Sequence, residues 1–180
     1  MKNFFSFLFE TAKIVILAVI IVVPIRYFIF QPFFVQGMSM EPNFHNGDYL
    51  IVDEITYRFM DPQRGEVVVF KYPKSPTQRY IKRIIGLPEE TISIKEGQIS
   101  IINQNGTWIL DESDYLLEAY TGGEIKVSLS KDEYFVLGDN RAFSSDSRRW
   151  GALSREFIVG KVYLRAWPFT ALAKMEAPAY

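Results

Sequence analysis

The chain has 180 residues, a formal net charge of -1, one histidine and no cysteine. That length holds one ordinary domain plus an anchor, and the near-neutral charge excludes the basic stripe of a nucleic-acid binder. Without cysteine there is no disulfide framework, thiolate metal site or cysteine nucleophile, and His45 alone cannot build a multi-histidine metal site; no cofactor is expected.

Residues 1–13 read as a short N-terminal cytoplasmic segment, where Phe4, Phe5, Phe7, Leu8 and Phe9 mix with Lys2, Glu10 and Lys13. An uncharged run from Ile14 to Ile25 follows, then Arg26, then Tyr27-Phe28-Ile29-Phe30. A spanning helix needs about 20 mostly apolar residues, and the segment 14–30 is just adequate if Arg26 snorkels to a headgroup. A cleaved signal peptide would share the basic start and apolar middle. Pro24-Ile25-Arg26-Tyr27, however, stands where its small-x-small site should be. The expectation is an uncleaved anchor with a cytoplasmic N-terminus, since Lys2 and Lys13 precede the span. An extracytoplasmic domain over 31–167 and a tail over 168–180 would follow.

From Gly47 onward the pattern is that of strands. Tyr49 to Val52, Glu66 to Phe70 and Arg79 to Ile85 are β-rich runs, the second closed by Pro73 and Pro76. Thr91 to Lys95 and Gln98 to Ile102 form a hairpin about Glu96-Gly97, and Asn105-Gly106 is a further turn signal. Ile125 to Leu129, Glu133 to Leu137 and Ile158 to Trp167 complete the set, with residues 103–123 the least patterned stretch. The fold class is mainly β: an antiparallel, partly barrel-like domain with one N-terminal transmembrane helix.

Chemistry concentrates at three places. Ser39, in Gln36-Gly37-Met38-Ser39-Met40-Glu41-Pro42, fits no helix or strand pattern and follows the apolar run directly. A serine needs a base. His45 is near in sequence, but beside Asn46-Gly47 it reads as a turn histidine. Lys82 shares a strand face with Tyr80 and Ile84, so burial of that face would desolvate its amine. Half-neutrality at pH 7 needs a fall of about 3.4 pH units from about 10.4, roughly 4.6 kcal/mol, and burial can lower a lysine by about 3 to 5 units. The pattern permits this, although lysines in alternating strands usually face water. The third place is the run from Leu137 to Gly151, in which acids and arginines spaced two apart can pair across an extended backbone.

Together these stretches resemble the bacterial type I (leader) signal peptidases, serine–lysine endopeptidases. The resemblance rests on Gly37-Met38-Ser39-Met40-Glu41-Pro42 with Gly47-Asp48-Tyr49-Leu50-Ile51-Val52, then Arg64-Gly65-Glu66-Val67-Val68-Val69-Phe70 and Tyr80-Ile81-Lys82-Arg83-Ile84-Ile85-Gly86-Leu87-Pro88. It continues through Gly138-Asp139-Asn140-Arg141, Ser144-Ser145-Asp146-Ser147-Arg148-Arg149-Trp150-Gly151 and Val159-Gly160-Lys161. It implies that Ser39 is the acylating nucleophile and Lys82 the general base. It further implies that Ser144 orients the amine, and that Asp146 with Arg148 braces the wall, supported by Asp139 and Arg141.

The implied activity is removal of N-terminal signal peptides from exported preproteins after a small-x-small site, through an acyl-enzyme. The implied setting is the extracytoplasmic side of a bacterial plasma membrane, as a monomer in contact with the bilayer. Where many members carry a serine two positions before the nucleophile this chain has Gly37, so the oxyanion hole falls to backbone near Met38 and Ser39. Ala142-Phe143 replaces a common Asp-Asn, and Glu89-Glu90 stands where Gly-Asp or Gly-Glu is usual. Two alternatives remain on sequence grounds: a related Ser–Lys protease such as a mitochondrial inner-membrane peptidase, or a non-enzymatic anchored β domain. The last requires Ser39 and Lys82 to be apart or both solvated.

Overall fold

A computed structural model describes residues 2–28, 30–116, 118–168, 172–175 and 177–178, with side chains of the N-terminal helix described at 4 and 6–22. Helix α1 runs Lys2–Phe28. Every described side chain from Ser6 to Val22 is exposed, so this part of the helix buries no apolar surface against the other described residues. Among the described residues no helix is long and apolar enough to cross a membrane. The expected snorkelling of Arg26 and the Phe169 part of the tail lie outside the described side chains.

The rest is antiparallel β structure, as the alternating patterns predict. Among the described residues, one sheet has the order β1-β2-β11-β3-β4-β9-β10, with β12 added to β11. Its strands are β1 (Phe30–Phe34), β2 (Tyr49–Asp53), β3 (Val67–Tyr72), β4 (Ser75–Gly86), β9 (Glu133–Leu137), β10 (Leu153–Ser154), β11 (Ile158–Trp167) and β12 (Ala173–Lys174). The second sheet, β7-β6-β5-β8, comprises β5 (Thr91–Lys95), β6 (Gln98–Asn103), β7 (Gly106–Ile109) and β8 (Ile125–Ser128).

Strand composition follows position. β2 lies between two neighbours and turns Leu50 and Val52 inward. β3 is buried on both faces, so its sequence is continuous rather than alternating: Val67 and Val69 join one core with Met40, Phe44, Leu50 and Ile81, while Val68 and Phe70 join another with Ile84, Tyr134 and Val136. In the second sheet, Ile92, Ile94, Ile99 and Ile101 pack on Phe135 and Leu137.

Two boundaries differ from the sequence expectation. Phe30, read as the end of the apolar run, opens β1, an edge strand that tolerates Pro32 because its outer N–H positions need no partner. Pro73 does close β3, which ends at Tyr72, but Pro76 closes nothing: it lies inside β4, the second strand of a hairpin, which begins at Ser75 after a turn at 73–74.

Candidate active site

Ser39 stands in the turn between β1 and β2. Met40 beside it is 1% exposed and pins the turn to the core, while Met38 on its other side is 52% exposed. Gly37 has φ +87°, a left-handed conformation that favours glycine, and its N–H donates to Asn46 Oδ1 at 2.9 Å. Thus glycine and asparagine set the backbone that presents the serine.

Lys82 lies where β4 is buried on both faces, opposite Val68 of β3. It is 3% exposed. Its Nζ is 2.7 Å from Ser39 Oγ and donates to the Ile81 carbonyl at 2.7 Å. Burial pushes the amine down to about 8, against the opposing pull of the Asp146 and Asp139 carboxylates. The two acids explain why the fall is smaller than half-neutrality at pH 7 requires.

The wall behind the pair is the segment after β9. A Cβ on Gly138 would strike both Ser144 Oγ and the Ser39 carbonyl, so glycine allows the wall to touch the serine turn. The Asn140 N–H donates to that same Ser39 carbonyl at 3.1 Å. Asp146 caps helix α2 (Ser147–Trp150) and takes a bidentate contact from Arg148, at 2.9 Å from Nε and 2.8 Å from Nη2. Although burial pushes the Asp146 carboxyl up, hydrogen bonding and charge from Arg148 hold it below its ordinary value.

Ser144 is 2% exposed. Its hydroxyl lies close enough to help hold Asp146 ionised, yet no bond of normal geometry reaches its Oγ, from the Lys82 amine or elsewhere among the described residues.

Asp139 and Arg141 do not pair with each other. Asp139 accepts from Arg83 at 2.7 and 2.9 Å and from Asn43 Nδ2 at 2.8 Å. Arg141 pairs with Glu112 at 2.5 Å, contacts Thr121, and donates from Nε to the Gly138 carbonyl at 3.0 Å. Arg83, Asn43 and Glu112 were not singled out in sequence. Arg83 could have been, because it neighbours Lys82 in a β-rich run; Glu112 gives no local signal. His45 is exposed, holds a turn through Asp48 and does not line the Ser39–Lys82 cleft.

That cleft measures about 800 Å³ and runs between β1 and β4, past Ser39, Lys82 and Phe143. Among the described residues there is no group of three or more acidic or histidine side chains placed to hold a metal ion.

Residues 8–167 match the sequence profile of the family described as signal peptidase, peptidase S26. The chain belongs to that family. A probable signal peptidase I-2 of Synechocystis sp. is 40% identical over 166 residues, covering 88% of this chain and 73% of that protein. Signal peptidase I of Leptolyngbya laminosa is 35% identical over 95% of this chain and 85% of its own length. Signal peptidase I T of Bacillus subtilis is 33% identical over 91% of this chain and 87% of its own length. The crystal structure of a signal peptidase I from Enterococcus faecalis aligns with 57% of this chain and 97% of that chain, at 31% identity and a TM-score of 0.47. As a member of the signal peptidase family, the chain is a serine peptidase.

Proposed function

We propose that the chain is a membrane-anchored, monomeric endopeptidase that cuts preproteins after a small-x-small site, with Ser39 as nucleophile and Lys82 as general base. The observation that carries this reading is the 2.7 Å approach of Lys82 Nζ to Ser39 Oγ in a buried setting. That distance is at odds with a non-enzymatic domain in which the two groups stand apart.

A neutral Lys82 amine has two N–H donors and one lone pair. One donor stays on the Ile81 carbonyl, fixing the side chain, while the lone pair accepts the Ser39 proton. The freed Oγ attacks the scissile carbonyl, and the Lys82 ammonium returns the proton to the departing amine. Lys82 then takes a proton from water, which attacks the ester and restores the Ser39 hydroxyl. The Ser39 N–H bonds nothing among the described residues and would receive the oxyanion in this reading. Asp146 and Arg148 brace the wall, Ser144 fills it beside the amine, and Asp139 and Arg141 tie it to the rest of the domain.

A substrate strand lying between β1 and β4 would set alternate side chains into shallow pockets beside Ser39. The exposed α1 surface supports an anchor, with residues 1–13 inside, the peptidase domain on the extracytoplasmic face of the plasma membrane and 168–180 as its tail. Ser39→Ala, Lys82→Ala and Lys82→Arg should each abolish cleavage of a small-x-small preprotein, since a guanidinium is no base near neutrality. Wild-type kcat/KM should rise through about pH 8, where the amine loses its proton. Substantial cleavage by Lys82→Arg would sink the assignment of Lys82 as base.

A further inference from the structure

The cleft has a second feature that the Ser39–Lys82 pair does not use. β1 and β4 form its walls, and both run toward the Ser39–Lys82 pair. Among the described residues no ladder joins them: β1 pairs with β2, and β4 pairs with β3 and, only from Arg83 onward, with β9. They are bridged by side chains, Arg79 Nη1 donating to Gln31 Oε1 at 3.2 Å. Arg79 is exposed, so this bridge can open or arch over a chain at little cost.

Its surroundings carry a charge bias. Exposed Lys71 is the register partner of Arg79 across β3 and β4. The acid near them, Glu54, has Oε1 buried without a hydrogen-bond partner among the described residues. Burial pushes its carboxyl up against the pull of Arg79, Arg58 and Lys71, which weakens it as a counter-charge.

Arg79 precedes Lys82 by three residues of extended strand, about 10 Å. The Gln31–Arg79 end of the cleft is also where α1 joins β1. A signal peptide's apolar part precedes its cut, so with α1 as the proposed anchor the upstream side of the substrate would leave by this end. A peptide with its scissile carbonyl at Ser39 then brings roughly its fourth to sixth residue before the cut level with the bridge.

We propose that Arg79 and Gln31 form a clasp that reads this upstream stretch, favouring acidic or hydrogen-bond-accepting residues and disfavouring lysine and arginine. The proposal rests on the peptidase reading above. The guanidinium has five donors, so it can take a peptide carbonyl or carboxylate while keeping Gln31. A basic substrate side chain instead meets Arg79 and Lys71 with like charge.

The test uses the full chain in detergent and three synthetic peptides with one small-x-small site, carrying Asp, Ala or Lys five residues before the cut. At low salt the wild type should cleave the Asp peptide about fivefold better than the Lys peptide in kcat/KM, the scale of an exposed charge pair. The ratio should shrink in 1 M NaCl. Arg79→Glu should invert it, and Gln31→Ala should reduce it. A ratio unchanged in Arg79→Glu, or one indifferent to salt in the wild type, overturns the clasp while leaving the peptidase reading intact. No cleavage of any of the three peptides overturns both.

Discussion

The Lys82 amine sits where a charge is costly, and its price appears in stability as well as in catalysis. Folding lowers its pKa from the ordinary 10.5 to about 8. Below pH 8 both folded and unfolded chains hold the proton, and the folded state bears the full cost of a buried ammonium. Between about 8 and 10.5 the unfolded chain binds the proton more tightly, so stability from this group rises with pH across that window. The whole difference is about 3 kcal/mol. Lys82→Met removes the ammonium at the loss of two hydrogen bonds. It should therefore be more stable than wild type at pH 7, by up to about 3 kcal/mol, with the gap closing toward pH 10.5. Urea unfolding of both proteins at the two pH values measures this. A constant gap would show that Lys82 is not desolvated as its burial indicates.

At the scale of elements, the wall after β9 is held by ion pairs that come from far along the chain. Glu112, 2% exposed, lies in the segment between β7 and β8 and grips Arg141 in bidentate fashion, at 2.5 and 2.7 Å. Arg141 in turn accepts on its carbonyl from Arg148, which holds Asp146. Glu112→Ala leaves a buried guanidinium uncompensated and should cost about 3–5 kcal/mol, whereas replacing Glu112 and Arg141 together by methionine should be far milder. Denaturant unfolding of the single and double variants checks the contrast.

The sequence carried the strands because half-buried antiparallel elements write their environment as alternation, as in Tyr49–Asp53 and Thr91–Lys95. β1 was hidden because its phenylalanines continue the apolar run of α1. Ser39 and Lys82 stood out as residue types in unusual settings, and their order along the chain matched a family. Glu112 and Asn43 were not legible, nor was the pairing of Asp139 with Arg83, because an ion pair across 29 or 56 residues leaves no local trace of which residue is the partner.

For the molecule as a whole, the β structure owes α1 little. The described side chains of α1 from Ser6 to Val22 are all exposed, including Phe7, Leu8, Ile14, Ile16, Leu17 and Ile20. The buried clusters draw instead on residues from Val35 onward. A helix of 27 residues is about 40 Å long, against roughly 30 Å of hydrocarbon. On the anchor reading proposed above, the apolar side chains facing outward from Ser6 to Val22 would gain their burial from lipid rather than from the protein. Deleting residues 1–28 should therefore shift the Tm of the β structure by no more than about 2 °C, since little apolar area on the folded side is lost. The same deletion should release the protein from phospholipid vesicles in a flotation assay, and should slow cleavage of a vesicle-bound preprotein more than that of a short soluble peptide. Continued co-flotation of the truncated chain would place the membrane contact on the β structure, and a large fall in Tm would show that α1 packs against it.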